Sequence, residues 1–141
     1  MIREQEDKEL LLKDLCARLP YGVKVHFSGW DSEYLQQKEM IDTLYSIDLD
    51  GYCNTDEYDS LLELGNIKPY LFPLSSMTEE QKEEFNSYFA SVPYYGDNEK
   101  EHIVPYYFVE LFMEFFHKNH IDNNGLIPMG LAIDATGKNI Y

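Results

Sequence analysis

Cysteine is nearly absent: Cys16 and Cys53 are the only two in 141 residues, and they do not form a Cys-x-x-Cys pair. Two such residues are too few for a disulfide framework. Basic residues are scarce as well. Against 26 Asp and Glu stand 11 Lys and Arg, a formal net charge of −15. That balance argues against unaided binding to nucleic acid or an anionic membrane, whose phosphates are held mainly by Lys and Arg. No apolar run is long enough to span a bilayer; the longest apolar segment, 104–116, is interrupted by Glu110 and Glu114. Residues 1–9, Met-Ile-Arg-Glu-Gln-Glu-Asp-Lys-Glu, are polar from the first turn and lack the apolar centre of a signal peptide, so the expected location is the cytoplasm and no membrane partner is expected. The common catalytic signatures are missing too: there is no Gly-x-Ser-x-Gly elbow, no Walker loop and no dinucleotide fingerprint.

What remains is apolar enough to fold. Hydrophobic residues make up 44% and aromatics 15%, which excludes disorder despite the charge. The length is that of a single domain spanning 1–141. Residues 4–19 carry Leu11, Leu12, Leu15, Cys16 and Leu19 at spacings of three and four, with Glu9, Lys13, Asp14 and Arg18 on the other side. A helix stopped by Pro20 is predicted, with Cys16 as an inert core residue. Val23, Val25 and Phe27 alternate in a strand over 22–28, and Ile41, Thr43, Tyr45, Ile47 and Leu49 alternate over 40–49, as in a hairpin with a long polar loop. Residues 50–60 read as turn chemistry, and 61–64 and 67–71 as two short strands.

Thr78-Glu-Glu-Gln81 is a capping box, followed by a helix over about 79–90. Pro105 suits the first turn of a third helix reaching about Asn119. Phe108, Leu111, Phe112, Phe115 and Phe116 make that helix the expected central element, with Phe112 in the core and Glu114 in water. Residues 122–133 should pack back on the core. The expected fold is α+β: a small antiparallel sheet of about four strands with three helices, the third central.

Three constellations are candidates for chemistry. Asp48, Asp50, Asn54, Asp56 and Asp59 bring oxygen ligands into one turn-forming span, as a hard cation requires, although Gly51 and Asp59 do not fall in EF-hand register. Glu110, Glu114 and His117 include one Glu-x-x-His of the di-iron type, with no second copy. His117, His120 and Asp122 are a candidate zinc set, with His102 as a possible fourth ligand; histidines at a helix C-terminus are also favoured by the dipole. Among the acidic residues near Cys53, a thiol pKa rises, which makes the cysteine less reactive.

Tyrosine is the oddest feature: 12 residues, four of them directly after proline, with Val-Pro-Tyr-Tyr twice. Tyr94, Tyr95 and Tyr106 are the candidate partner-binding residues, since tyrosine is enriched at binding surfaces. The competing expectation, and the favoured one, is that each ring is buried at an element boundary with its hydroxyl kept wet.

Lys13-Asp-Leu-Cys-Ala-Arg-Leu-Pro-Tyr-Gly-Val23, the block from Asn66 to Glu80 containing Lys-Pro-Tyr-Leu-Phe-Pro, and Gly125-Leu-Ile-Pro-Met-Gly-Leu-Ala-Ile133 occur together. In these blocks the chain resembles a family of short hypothetical proteins from anaerobic gut bacteria and their phages or prophages. The resemblance implies an accessory role in a mobile element and transfers no cofactor or catalytic residue. The leading expectation is a small, acidic, non-enzymatic protein that binds another protein and uses no cofactor. The alternatives are a metal-dependent enzyme built on His117, His120 and Asp122 or on the 48–59 loop, and a nucleic-acid mimic that presents its carboxylates as one stripe.

Overall fold

The computed structural model describes residues 2–31, 34–48, 50–57, 62–90 and 106–141. It is α+β, with helices α1 (Ile2–Arg18), α2 (Glu79–Ala90) and α3 (Tyr106–Lys118). The strands are β1 (Lys24–Asp31), β2 (Gln36–Ile47), β3 (Tyr52–Thr55), β4 (Leu62–Glu63), β5 (Lys68–Leu71) and β6 (Ile133–Asp134). They form one sheet in the order β4-β3-β2-β1-β5-β6, antiparallel except for the β5–β6 pair. Six strands therefore replace the expected four. β3 was read as turn because Asp, Asn and Gly surround it, and β6 lies in the tail.

Val23, Val25 and Phe27 are buried together, as their alternation predicts. β2 does not follow its predicted face. Met40 and Leu44 point inward, while Ile41 and Tyr45 are exposed. The register on β1 sets this face: Met40 lies opposite Phe27 and Asp42 opposite Val25, so the even-numbered residues share the buried side up to Leu44. A bulge follows: Leu44 pairs with Thr55 but Ser46 with Asn54, so β2 has one extra residue at Tyr45. That residue flips the parity, which is how Leu44 and then Ile47 both reach the core side. The β2–β3 turn closes with the Gly51 amide donating to the Asp48 carbonyl at 3.1 Å, and Gly51 takes the left-handed conformation (φ 83°) that an αL position needs.

The core is centred on α1 rather than on the third helix. Leu11 and Leu15 of α1 cluster with Val23, Val25, Phe27, Met40, Leu44, Cys53, Leu64, Ile67 and Leu71 of the sheet side, and with Leu126 and Ala132 of the tail. Among the described side chains, α3 contributes the fully buried Phe115, while Phe112 is half-buried. α3 packs instead on α2, where Phe85 meets Phe112, Phe115 and Phe116 with ring centroids 5.4–5.6 Å apart. Lys118 Nζ of α3 donates to Glu84 Oε1 of α2 at 2.9 Å, tying the two helices further, and within α2 the Tyr88 hydroxyl donates to the same oxygen at 2.6 Å.

The capping box forms as its sequence predicts. The Gln81 amide donates to Thr78 Oγ1 at 3.1 Å, and Gln81 Oε1 accepts from the Thr78 amide at 3.0 Å. Thr78→Ala should cost about 1 kcal/mol in a denaturant melt.

Candidate functional site

The first cluster of polar side chains lies where α1 meets the turn after α3. Asp14 and Arg18, expected on the wet side of the first helix, are both fully buried. Leu11, Asp14, Leu15 and Arg18 form the inward stripe, and Cys16 faces solvent instead of the core. Two charges tolerate this because they neutralise each other one helical turn apart. Arg18 Nε donates to Asp14 Oδ2 at 2.8 Å, and Nη2 to Asp14 Oδ1 at 3.2 Å. Nη2 also donates to the Ile121 carbonyl at 2.6 Å and to Asn123 Oδ1 at 2.8 Å, and Asn124 Nδ2 donates to Asp14 Oδ1 at 2.8 Å. Every one of these bonds beyond the pair reaches the 121–124 turn, so the knot fastens helix α1 to the tail.

The turn itself is held by Asp122, whose two carboxylate oxygens accept from the Leu126 amide at 2.8 Å and the Ile127 amide at 2.9 Å. His120 is the left-handed residue that ends α3 (φ 56°). Its own amide donates to the His117 carbonyl at 3.2 Å and that of Ile121 to the Phe116 carbonyl at 2.8 Å, the paired bonds of a Schellman motif. Glycine usually takes that position. Here the His120 ring stacks on Tyr141, centroids 3.7 Å apart, and its Nδ1 is buried without a partner among the described residues. The Tyr141 hydroxyl accepts from the Lys24 amide at 2.9 Å and donates to the Tyr70 carbonyl at 2.7 Å. It stitches β1 to β5 just beyond their last paired residues. Burial pushes that phenol up to about 12, although the rim of the ring stays exposed.

Burial, with the Arg18 charge nearby, pulls the His120 imidazole down to about 4, and burial lowers His117 also. The unfolded chain, with histidine near 6.5, therefore binds protons that the folded chain does not between about pH 6.5 and 4. Stability should be complete above that window and fall as the pH drops through it. His120→Asn, which keeps a residue that tolerates the left-handed conformation, should flatten the decline in denaturant melts recorded from pH 7 to 4.

Several of the candidate metal ligands make hydrogen bonds within the fold. Asp122 serves two backbone amides. Asp48 Oδ1 accepts from the amides of Asp50 at 2.9 Å and Tyr52 at 3.0 Å, and Asn54 Nδ2 donates to Ser46 Oγ at 3.3 Å. Asp50 and Asp56 are exposed, and Asp59 lies outside the described residues. Glu110 and Glu114 are exposed and His117 is half-buried. Among the described residues, no three His, Cys, Asp or Glu side chains come together as a metal site. The Cys53 thiol is pushed up to about 11, by burial first and by Asp48 second.

The second cluster is a surface. The outer face of the sheet carries His26 of β1 beside Glu39, Ile41 and Tyr45 of β2, with His26 Nε2 and Glu39 Oε2 2.7 Å apart. Ile41 is 49% exposed and Tyr45 68%. Tyr45, Asn54, Thr55 and Asp56 line an open recess of about 430 Å³ at the bulge. Tyr34 and Leu35, at the tip of the β1–β2 hairpin, are exposed as well. Of the seven tyrosines whose side chains are described, five are exposed: Tyr21, Tyr34, Tyr45, Tyr52 and Tyr141. Of the proline-linked tyrosines whose side chains are described, Tyr70 is buried as that expectation required and Tyr21 is exposed. Tyr94 and Tyr95 lie outside the described residues, and Tyr106 is the first residue of α3.

No family model matches the chain, and neither the curated proteins nor the solved structures include a significant match. Among the described residues, no helix is long and apolar enough to cross a membrane.

Proposed function

We propose that the chain is an acidic, non-catalytic protein-binding module that works in the cytoplasm and meets its partner on the outer face of β2. The observation that carries this reading is the joint exposure of Ile41 and Tyr45 on one sheet face, beside the recess under Tyr45. An exposed tyrosine offers a large, rigid contact area with few rotatable bonds and a polar tip, which is why such residues anchor binding surfaces. The net charge of −15 adds long-range attraction for a basic partner and repels acidic ones. A protein-binding role also suits an accessory protein of a phage or prophage, the setting that the sequence resemblance implies.

The double variant Ile41→Ser/Tyr45→Ala tests it. Both side chains are exposed, so stability should stay within about 0.5 kcal/mol of wild type. A protein retained in stoichiometric amount by the wild-type chain should be lost at least about tenfold by the variant. Equal retention of the same proteins by both chains would overturn the reading.

A further inference from the structure

The bonds around β2 show which of its backbone groups are occupied. The Leu44 amide donates to the Val23 carbonyl at 2.9 Å, and the β1–β2 register pairs Lys24 with Thr43 through Asp31 with Gln36. In an antiparallel ladder alternate residues bond to the same neighbour, so the even-numbered residues of β2 direct their N–H and C=O toward β1. The odd-numbered ones point the other way, and the Thr43 carbonyl indeed accepts from the Asp56 amide, beyond β3, at 3.0 Å. β3 pairs with β2 only at Leu44, Ser46 and Ile47. At Thr43 the edge is closed by side-chain chemistry: Asp42 Oδ1 accepts from the Thr43 amide at 2.8 Å, and Asp42 Oδ2 from the Glu57 amide at 2.8 Å. Past that point, no strand among the described residues faces the N–H and C=O groups of Ile41, Glu39 and Gln37.

We infer that this edge of β2, from Gln37 to Ile41, takes an extended, basic segment of a partner protein as an added strand. The inference rests on the protein-binding reading and assigns it a mode. Three donors and three acceptors recur every second residue, about 6.7 Å apart, the pattern to which a β-strand adds. The side chains beside the edge choose the occupant. Gln37, Glu39 and Ile41 are exposed on the outer face, with Asp56 and Glu57 exposed at its closed end and Lys38 the one cation of the arm. Lysine or arginine is favoured opposite Glu39, and a β-branched or aromatic residue opposite Ile41. A second copy is disfavoured, because it brings the same carboxylates and a charge of −15 to the same edge.

The probe is an acetylated octapeptide, Lys-Lys-Val-Val-Lys-Lys-Val-Val, whose residues two apart set lysine against Glu39 and valine against Ile41, added to the full ¹⁵N-labelled chain. Amide exchange at Gln37, Glu39 and Ile41 should slow at least about tenfold, with smaller changes at Gln36, Lys38 and Met40. Glu39→Pro removes an outward N–H without touching the β1 ladder and should weaken peptide binding about tenfold, whereas Glu39→Gln, which removes only the charge, should cost about two- to threefold. The same peptide N-methylated on the bonding amides should lose binding to the wild-type chain, which keeps the test independent of how the proline variant folds. Unchanged exchange at the three amides, equal binding of the N-methylated peptide, or a dimer in sedimentation equilibrium with those amides already slow would each overturn the inference. If the octapeptide leaves the edge untouched while Ile41→Ser/Tyr45→Ala still loses its protein, the mode fails and the protein-binding reading stands. If the edge is protected and no protein depends on Ile41 and Tyr45, the reverse holds.

Discussion

Asp14→Ala should lose about 3–5 kcal/mol of stability in a urea melt, the cost of leaving a buried charge without its partner. Arg18 is fully buried, so its guanidinium gains no water when Asp14 is removed. Asn124 loses an acceptor in the same step, and the turn that Arg18 grips through Ile121 and Asn123 is left around an uncompensated cation. Such a loss is a large share of the roughly 5–15 kcal/mol that a domain holds in total. The pair itself need not be stabilising. Replacing both members by apolar residues of similar size, Asp14→Leu/Arg18→Met, should recover much of the loss, because desolvating two charges offsets most of their attraction. A double variant as unstable as Asp14→Ala would mean that the bonds to the 121–124 turn, and not charge neutralisation, are what the knot supplies.

Phe115→Ala is the second large effect, at about 3–5 kcal/mol. Phe115 is fully buried and lies in ring contact with Phe85, Tyr88 and Phe116, so truncation opens a cavity between α2 and α3. Phe112 touches the same Phe85 from a half-buried position and should cost distinctly less. Glu114→Ala, on the exposed side, should stay within about 0.5 kcal/mol. A larger loss at Phe112 than at Phe115 would mean that Phe112, and not Phe115, is the main core contact of α3.

How far the sequence could be read follows from which interactions are local. The capping box at Thr78 and Gln81 involves residues three apart, and both of its bonds are present. The Val23-Val25-Phe27 alternation is equally local and equally correct. β2 was legible as a strand but not in its facing, because the pairing of Met40 with Phe27, rather than its own composition, sets the face, and one bulged residue then inverts the parity before Ile47. α1 was legible as a helix but not in its rotation. Asp14 and Arg18 look like surface residues until a turn more than a hundred positions away supplies the Ile121 carbonyl and Asn123. The usable signal was positional: both charges sit three and seven residues after Leu11, within the stripe that Leu15 continues. The third helix was over-read for the same reason, since an apolar helix of Phe and Leu declares that it is packed but not against what.

The candidate surface was hidden more deeply. Tyrosine-rich composition suggested binding, but the proline-linked tyrosines drew attention to Tyr94, Tyr95 and Tyr106, whereas the structure exposes Tyr45 beside a strand edge that no other strand among the described residues covers. That edge exists only because β3 pairs with the last third of β2 while β1 pairs with the rest, and strand length mismatch has no signature in a single sequence.

Hydrogen exchange along β2 in the free chain, read amide by amide, is therefore the most direct test of the open edge on which the account turns. The amides of Lys38, Met40 and Asp42, bonded within the β1–β2 ladder, should be protected by orders of magnitude, and those of Gln37, Glu39 and Ile41 should exchange close to the rate of an unstructured chain. Uniform protection from Gln37 to Asp42 would contradict the account, since it would show the outer edge of β2 already paired.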